Sequence, residues 1–273
     1  MKRWWLGLLL LLTACRSATQ PLATPTPAPV VTPQVLEIAC SEMLEPTLLA
    51  LAAAYQRENP AVQPVVIPRA DTLALNALEQ ADADLIALTW APPQWPEPLW
   101  RTPFARDGLA IAVHPQNGLP GLTLEQLRQL FQGQVENWDN WGGLPGVPQI
   151  VSREEASGEF QRFQRGVMRE SRVTLTALLA PTSDAVLELV GSDPLTVGYI
   201  SAARLNSSVR ALAIEGVPPT KETIMAEIYP LTYALYLATQ GEPTGATRDF
   251  IQWALSAPGQ RVVTAQGLAP IVQ

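Results

Sequence analysis

From Val35 onward, short apolar runs alternate with stretches whose apolar residues recur at helical spacing, and this alternation is the strongest constraint on the fold. "VLEIAC" (35–40), "VQPVVI" (62–67), "ADLIAL" (83–88) and "GLAIAVHP" (108–115) read as strands, and so do "VGYIS", "VRALAI" and "YALYLAT" further on. Between them lie helical patterns. Leu48, Leu51, Ala52 and Tyr55 share one face before Asn59-Pro60 stops the run, and "LALNALEQ" forms a short helix. "TLEQLRQLFQG" has Thr123 as N-cap and Gly133 as stop, and a closing helix surrounds "TRDFIQWALS". Strand followed by helix, repeated, predicts an α/β fold of mostly parallel sheets covered by helices. With 47% hydrophobic residues, the roughly 240 residues after position 34 suffice for one large core or two smaller ones.

The first 34 residues follow different rules. Lys2 and Arg3 precede an apolar run from Trp4 to Leu12, which is short for a bilayer span, and Leu12-Thr13-Ala14-Cys15 follows. The tetrapeptide resembles the lipobox of bacterial lipoproteins, which predicts a signal peptide over residues 1–14 and lipidation at Cys15; an uncleaved anchor or a plain secretory signal is the alternative. Residues 15–34 carry "PLATPTPAPVVTP", a proline-rich tether whose nineteen residues from Arg16 reach up to about 60 Å as extended chain. The expected location is extracytoplasmic, lipid-anchored to the cell membrane, in a periplasm or at a cell surface. Residues 1–14 contain two basic and no acidic residues, so their removal takes the formal charge from -7 to 16 − 25 = -9, which argues against a nucleic-acid partner. Cys40 is the only other cysteine, so no intrachain disulfide accompanies a lipidated Cys15.

Residues that carry catalysis are scarce. His114, the one histidine, stands before Pro115 at a strand end, which is ordinary surface placement. There is no histidine or cysteine cluster for a metal, no glycine-rich nucleotide fingerprint, and no base beside Ser157 in sequence. Neither a cofactor nor an enzymatic activity is expected.

Binding has a stronger candidate in "SREEASGEFQRF" (152–163). If Ser157 caps a helix beginning at Gly158, then Phe160, Phe163 and Val167 fall on one buried face. The first-turn N–H groups then face outward, Gly158 lets a ligand approach the backbone, and Arg153 supplies a guanidinium: a cradle for an oxyanion. Yet Glu154, Glu155 and Glu159 crowd the same turn.

Several phrases resemble the phosphate-binding proteins of ATP-driven uptake systems, extracytoplasmic receptors of the periplasmic-binding-protein superfamily. They are "FARDGLAIAVHPQN" (104–117), "LTLEQLRQLFQGQVENWDNWGG" (122–143), "VSREEASGEFQRF" (151–163), "VGYISAARL" (197–205), "VRALAIEGVPPTKETI" (209–224) and the tail over 229–271, in order across most of the chain. The resemblance implies two α/β lobes with a small-molecule solute held between them. Lobe I would combine 35–104 with 235–273 and lobe II would hold 105–234. It implies a monomer that delivers phosphate or a related oxyanion to an ABC permease in the membrane. The family pattern Arg-x-x-x-Ser-Gly-Thr is met by Arg153, Ser157 and Gly158, whereas Glu159 replaces the threonine. The first-strand turn keeps Ser41 but places Glu42 and Met43 where hydroxyls are expected, "VVIPRADTLAL" replaces a Gly/Ser-rich turn, and Leu88-Thr89-Trp90 replaces a Ser-Ser-Arg-like triplet.

Two carboxylates facing an anion repel it by about 4 kcal/mol each at 4 Å and an effective dielectric near 20. Weakened phosphate binding is therefore expected, with Glu42 or Glu159 filling the anion site as a built-in carboxylate. Two blander placements compete: Glu159 as a first-turn residue facing solvent, and Arg153 paired with Glu154 or Glu155 at the surface. Trp90, Trp95 and Trp100 either line an aromatic cleft for an organic ligand or belong to a covering loop around "APPQWPEP". The alternative function is a degenerate binding or sensory module of the same fold, with a ligand other than phosphate or none.

Overall fold

Strand β1 (Gln34–Cys40) lies parallel to β2 (Val62–Pro68) on one side and β3 (Leu85–Leu88) on the other, and α1 (Glu45–Glu58) and α2 (Asp71–Glu79) form the two crossovers. Cys40 pairs with Pro68 and Ala87, so the three strands end level, and the loops leaving them gather at one edge. The computed structural model describes residues 33–90 and 98–271, so the predicted signal peptide, Cys15, the proline-rich tether and Trp95 lie outside the described residues.

Strand β4 (Leu99–Val113) joins the two halves of the molecule. Its N-terminal part enters a core with Leu36, Ile38, Leu48, Leu51 and Tyr55 through Phe104 and Ala105. Its C-terminal part, Leu109, Ile111 and Val113, enters a second core with Leu127, Phe131, Trp138, Phe163 and Tyr199. The sequence suggests only 108–115 as strand, because Arg101, Pro103 and Arg106 interrupt the apolar pattern. Pairing with β11 (Thr232–Gln240) overrides them, and a bulge that skips Phe104 accommodates Pro103 and turns the phenyl ring inward.

Strand β5 (Gly121–Leu122) precedes α3 (Leu124–Phe131), where Thr123 and Gln126 form the reciprocal capping box expected of the N-terminus. Strand β6 (Gln149–Arg153) leads into α4 (Gly158–Phe163), which continues through a π-helical turn (Gln164–Met168). Next come β7 (Leu178–Ala180), α5 (Ser183–Ser192) and β8 (Thr196–Ser201). The predicted strand "VRALAI" is split into β9 (Arg210–Ala211) and β10 (Ala213–Ile214), which pair with different strands: β4 and β5. After α6 (Lys221–Met225) and β11, the chain closes with α7 (Gly245–Leu255), α8 (Ala257–Ala265) and β12 (Ala269–Pro270). The closing helix expected around "TRDFIQWALS" is α7, and a further helix that the sequence pattern does not mark, α8, follows after Ser256 with Pro258 in its first turn.

The strands run in the order β2-β1-β3-β11-β4-β8-β6-β7. This sheet is mixed rather than mostly parallel: β11 is antiparallel to β3 and β4, and β4 is antiparallel to β8. The strands that connect the halves are the antiparallel ones, which leaves a parallel α/β set on each side. The architecture is a two-lobed α/β fold, with two smaller apolar clusters, around Ala74 and Ile86 and around Val151 and Val186, beside the two main cores.

Candidate functional site

Arg153 is the last residue of β6, held in place from behind. Its backbone N–H donates to the Tyr199 hydroxyl at 3.1 Å, and that hydroxyl also meets Ser152 Oγ at 2.9 Å. Burial pushes the Tyr199 hydroxyl up to about 12, so it remains a neutral donor and acceptor. The ring stacks on Phe163 at 4.2 Å and 8°, which ties α4 to the strand that carries Arg153.

The helix start matches the sequence expectation. Ser157 is the N-cap, its Oγ accepts from the Phe160 N–H at 3.1 Å, and the helix begins at Gly158. Phe163 and Val167 are buried as expected, while Phe160 is half-buried. No side chain fits at Gly158. A Cβ there would lie 1.6 Å from Thr89 Oγ1 and 2.4 Å from Asp71 Oδ2, so the start of α4 is pressed against the loop after β3 and the start of α2.

The carboxylates separate into two groups. Glu154 and Glu155 are exposed. Glu159 is 2% exposed, and its Oε1 accepts from Arg153 Nη1 at 3.1 Å. Both bland placements are thereby corrected: Glu159 does not face solvent, and Arg153 pairs with Glu159 and Glu42 instead of its sequence neighbours. Glu42 Oε2 lies 3.6 Å from Arg153 Nη2. Ser183, the first residue of α5, bridges the group: its Oγ is 3.2 Å from Arg153 Nη1, 3.3 Å from Glu159 Oε1 and 3.5 Å from Glu42 Oε2. The Pro181 carbonyl accepts from Arg153 Nη2 at 3.1 Å. Opposite unit charges at the Arg153–Glu159 distance attract by about 5 kcal/mol at an effective dielectric near 20, offset in part by desolvation of both groups. The guanidinium is neutralised from within the protein.

Asp71 is the residue that the sequence reading missed. It opens α2 and is fully buried, and its Oδ2 accepts from the Thr89 N–H at 3.2 Å and from Thr89 Oγ1 at 2.5 Å. Burial raises its carboxyl to about 7; the Thr89 hydrogen bond lowers it, nearby Glu159 raises it, and Arg162 lowers it. Glu42 is also raised, first by desolvation and then by Glu159, with Arg153 opposing. The loop "VVIPRADTLAL", marked in the sequence only for lacking glycine and serine, is where Asp71 lies; an aspartate at a helix start gave no further signal.

These groups meet around one cavity of about 160 Å³, lined by Ser41, Glu42, Asp71, Arg153, Ser157, Gly158 and Glu159 among others. Thr89 lies beneath it, against Gly158. Three lining residues keep a buried polar atom without a hydrogen-bond partner: Ser41 Oγ, Asp71 Oδ1 and Arg153 Nε. The cavity therefore suits a small polar occupant. Its formal charge is negative, since one arginine faces Glu159, Glu42 and the half-titrated Asp71. Among the described residues no cluster of histidine, cysteine, aspartate or glutamate is arranged to hold a metal, and no helix is long and apolar enough to cross a membrane.

Two α/β lobes with a small polar cavity walled by the residues after β1 and at the end of β6, the starts of α2 and α4 and Pro181 before α5 define a solute-binding protein by class. The profile of the PBP superfamily domain matches residues 23–258. The chain belongs to this superfamily, that of the periplasmic binding proteins. It is 26% identical to the phosphate-binding protein PstS of Bacillus subtilis over 86% of this chain and 80% of that one. A putative phosphate ABC transporter substrate-binding protein with bound phosphate from Clostridium perfringens superposes with a TM-score of 0.80 at 24% identity, covering 88% of this chain and all of that one. An ABC-type phosphate transport receptor from Vibrio cholerae gives 0.77 at 26% identity, over 86% of this chain and all of that one. The resemblance read from the sequence phrases thus holds along most of the chain.

Proposed function

We propose that this protein is the extracytoplasmic solute-binding component of an ABC uptake system in the phosphate-receptor lineage, with its phosphate affinity weakened by its own carboxylates. The ligand site is the cavity lined by Ser41, Glu42, Asp71, Arg153, Ser157, Gly158 and Glu159, with Thr89 beneath it and Ser183 bridging Arg153 and Glu159 behind it. The observation that carries the reading is the buried Arg153–Glu159 pair at 3.1 Å. The relatives named above are phosphate receptors, which supports the ligand class; the pair supports the loss of strength. The lobe limits 35–104 with 235–273 and 105–234, a monomeric state, a lipid anchor at Cys15 and an ABC permease as partner complete the proposal, with binding and delivery rather than catalysis as the role.

The test is calorimetric titration of the full-length protein with inorganic phosphate at neutral pH, on the wild type and on Glu159→Thr. The wild type is expected to bind more weakly than about 100 µM, and the variant at least about tenfold more tightly, since removing one facing carboxylate relieves up to about 4 kcal/mol of repulsion. Micromolar binding by the wild type refutes the weakening. The second reading, a degenerate module with another ligand or none, rests on the same pair and is favoured if the variant also stays silent.

A further inference from the structure

Along α4 from the cradle, Arg162 and Arg165 follow Gly158 at helical spacing and border a second cavity, of about 270 Å³, shared with Trp90 after β3 and Thr232 and Tyr233 of β11. Its charge is the reverse of the first. Two guanidiniums line it, and none of its described lining residues is an aspartate or glutamate. Arg162 lies 3.5 Å over the Tyr233 ring, and one Nη donates to the Ala234 carbonyl at 3.2 Å. Among the described residues it forms no ion pair within 4 Å. Arg165 lies 4.4 Å over the Trp90 ring.

Three polar atoms of lining residues are buried without a hydrogen-bond partner: Trp90 Nε1, Arg162 Nε and Thr232 Oγ1. The first two donate only, and the third can donate. Trp90 is 8% exposed, so its indole N–H has little access to bulk water. The remaining wall, Leu109, Pro230 and Leu231, is apolar. Unmatched donors, positive charge and an apolar wall together describe a receptor for an acceptor-rich anion with a hydrocarbon body.

We propose that this cavity is a second ligand site that binds a small organic carboxylate, its carboxylate taken by Arg162, Trp90 Nε1 and Thr232 Oγ1 and its apolar body by Leu109 and Leu231, with Arg165 at the border. Its lining residues are distinct from those of the cradle. The competing account is that the arginines merely stack on the two rings to fasten the lobes, which predicts no binding.

Benzoate is the probe, benzamide its neutral counterpart, and calorimetry on the full-length protein the readout. Expected are one benzoate per chain, benzamide at least about tenfold weaker, and benzoate affinity changed less than about threefold by about 10 mM inorganic phosphate. Arg165→Glu, at an exposed position, is expected to weaken benzoate at least about tenfold, and Thr232→Val about threefold. The proposal is overturned by absence of benzoate heat up to about 10 mM, by equal affinity for benzamide, by displacement with phosphate, or by unchanged affinity in both variants. Circular dichroism of each variant establishes that it is folded before its affinity is compared.

Discussion

Asp71 makes folding stability depend on pH in a way that isolates one side chain. In the unfolded chain its carboxyl has the ordinary value near 3.8, and in the fold burial raises it to about 7. Between these values the folded state holds a proton that the unfolded chain has released. The stabilisation is therefore complete below about pH 4, falls as pH rises through about 7, and is absent above. The gap of about three units corresponds to about 4 kcal/mol in full, of which roughly 2–3 kcal/mol falls between about pH 5 and pH 8. Asp71→Asn keeps the shape and an oxygen for the Thr89 N–H but cannot titrate. Urea unfolding followed by tryptophan fluorescence, at steps from about pH 5 to pH 8, gives the difference between wild type and variant at each step. That difference should move by roughly 2–3 kcal/mol in favour of the variant as pH rises. Glu42 and Asp107, whose carboxyls are also raised, titrate in both proteins and cancel. A pH-independent difference refutes the assignment of a protonated Asp71.

The same cavity leads to a second pH effect, read with sulfate because that anion does not itself titrate in this range. Its affinity should rise from about pH 8 to pH 5 as Asp71, whose carboxyl is raised to about 7, becomes neutral, and a flat calorimetric profile refutes the expectation. Gly158→Ala should destabilise by about 1–3 kcal/mol in urea, because a Cβ placed 1.6 Å from Thr89 Oγ1 forces α4 away from β3. Thr123→Ala should cost about 1 kcal/mol through loss of the capping box on α3, measured in the same assay. The buried Cys40 thiol, pushed up to about 12, should resist alkylation at about pH 8 until the chain unfolds, with the site read by peptide mass spectrometry.

The parts of the fold legible in the sequence are those where local pattern and tertiary environment agree. β1, β2 and β3 are near-continuous apolar runs because α1 and α2 cover them, and Thr123 and Ser157 announce helix starts by side-chain chemistry alone. The N-terminal half of β4 was illegible because Arg101, Pro103 and Arg106 carry no strand signal; its pairing is supplied by β11, more than a hundred residues away in sequence. In the candidate site, Arg153, Ser157, Gly158 and Glu159 could be named from the helix-start pattern, whereas Ser41, Glu42 and Thr89 could be named only through the resemblance to the phosphate-binding family. Whether a glutamate turns inward or outward depends on a distant partner, and here Ser183, thirty residues on from Arg153, completes the pocket around Glu159. Asp71 was hidden for the same reason: the Thr89 hydrogen bond and the burial that raises its carboxyl both come from the opposite side of the cavity. Trp100 packs against the first-lobe core, whereas Trp90 faces the second cavity, a distinction that sequence adjacency conceals.

One helix separates two opposite electrostatic environments. At its first turn, Glu159 is spent on Arg153, so the guanidinium that an oxyanion would need already has a carboxylate. One turn on, Arg162 stacks on the Tyr233 ring, which stabilises a cation without cancelling its charge, and a turn further Arg165 lies over the Trp90 ring. Burial lowers Arg162 only to about 10, so it stays protonated at neutral pH and the second cavity remains positive. An anion entering between the lobes thus meets a self-neutralised cradle on one side of Gly158 and unmatched donors with net positive charge on the other. Glu159→Thr would favour inorganic phosphate in the cradle while leaving the lining of the second cavity in place, since Glu159 does not line it and acts on Arg162 only through its charge. A single variant with gained phosphate affinity and unchanged benzoate affinity would therefore establish that the two sites are separate in energy as well as in space.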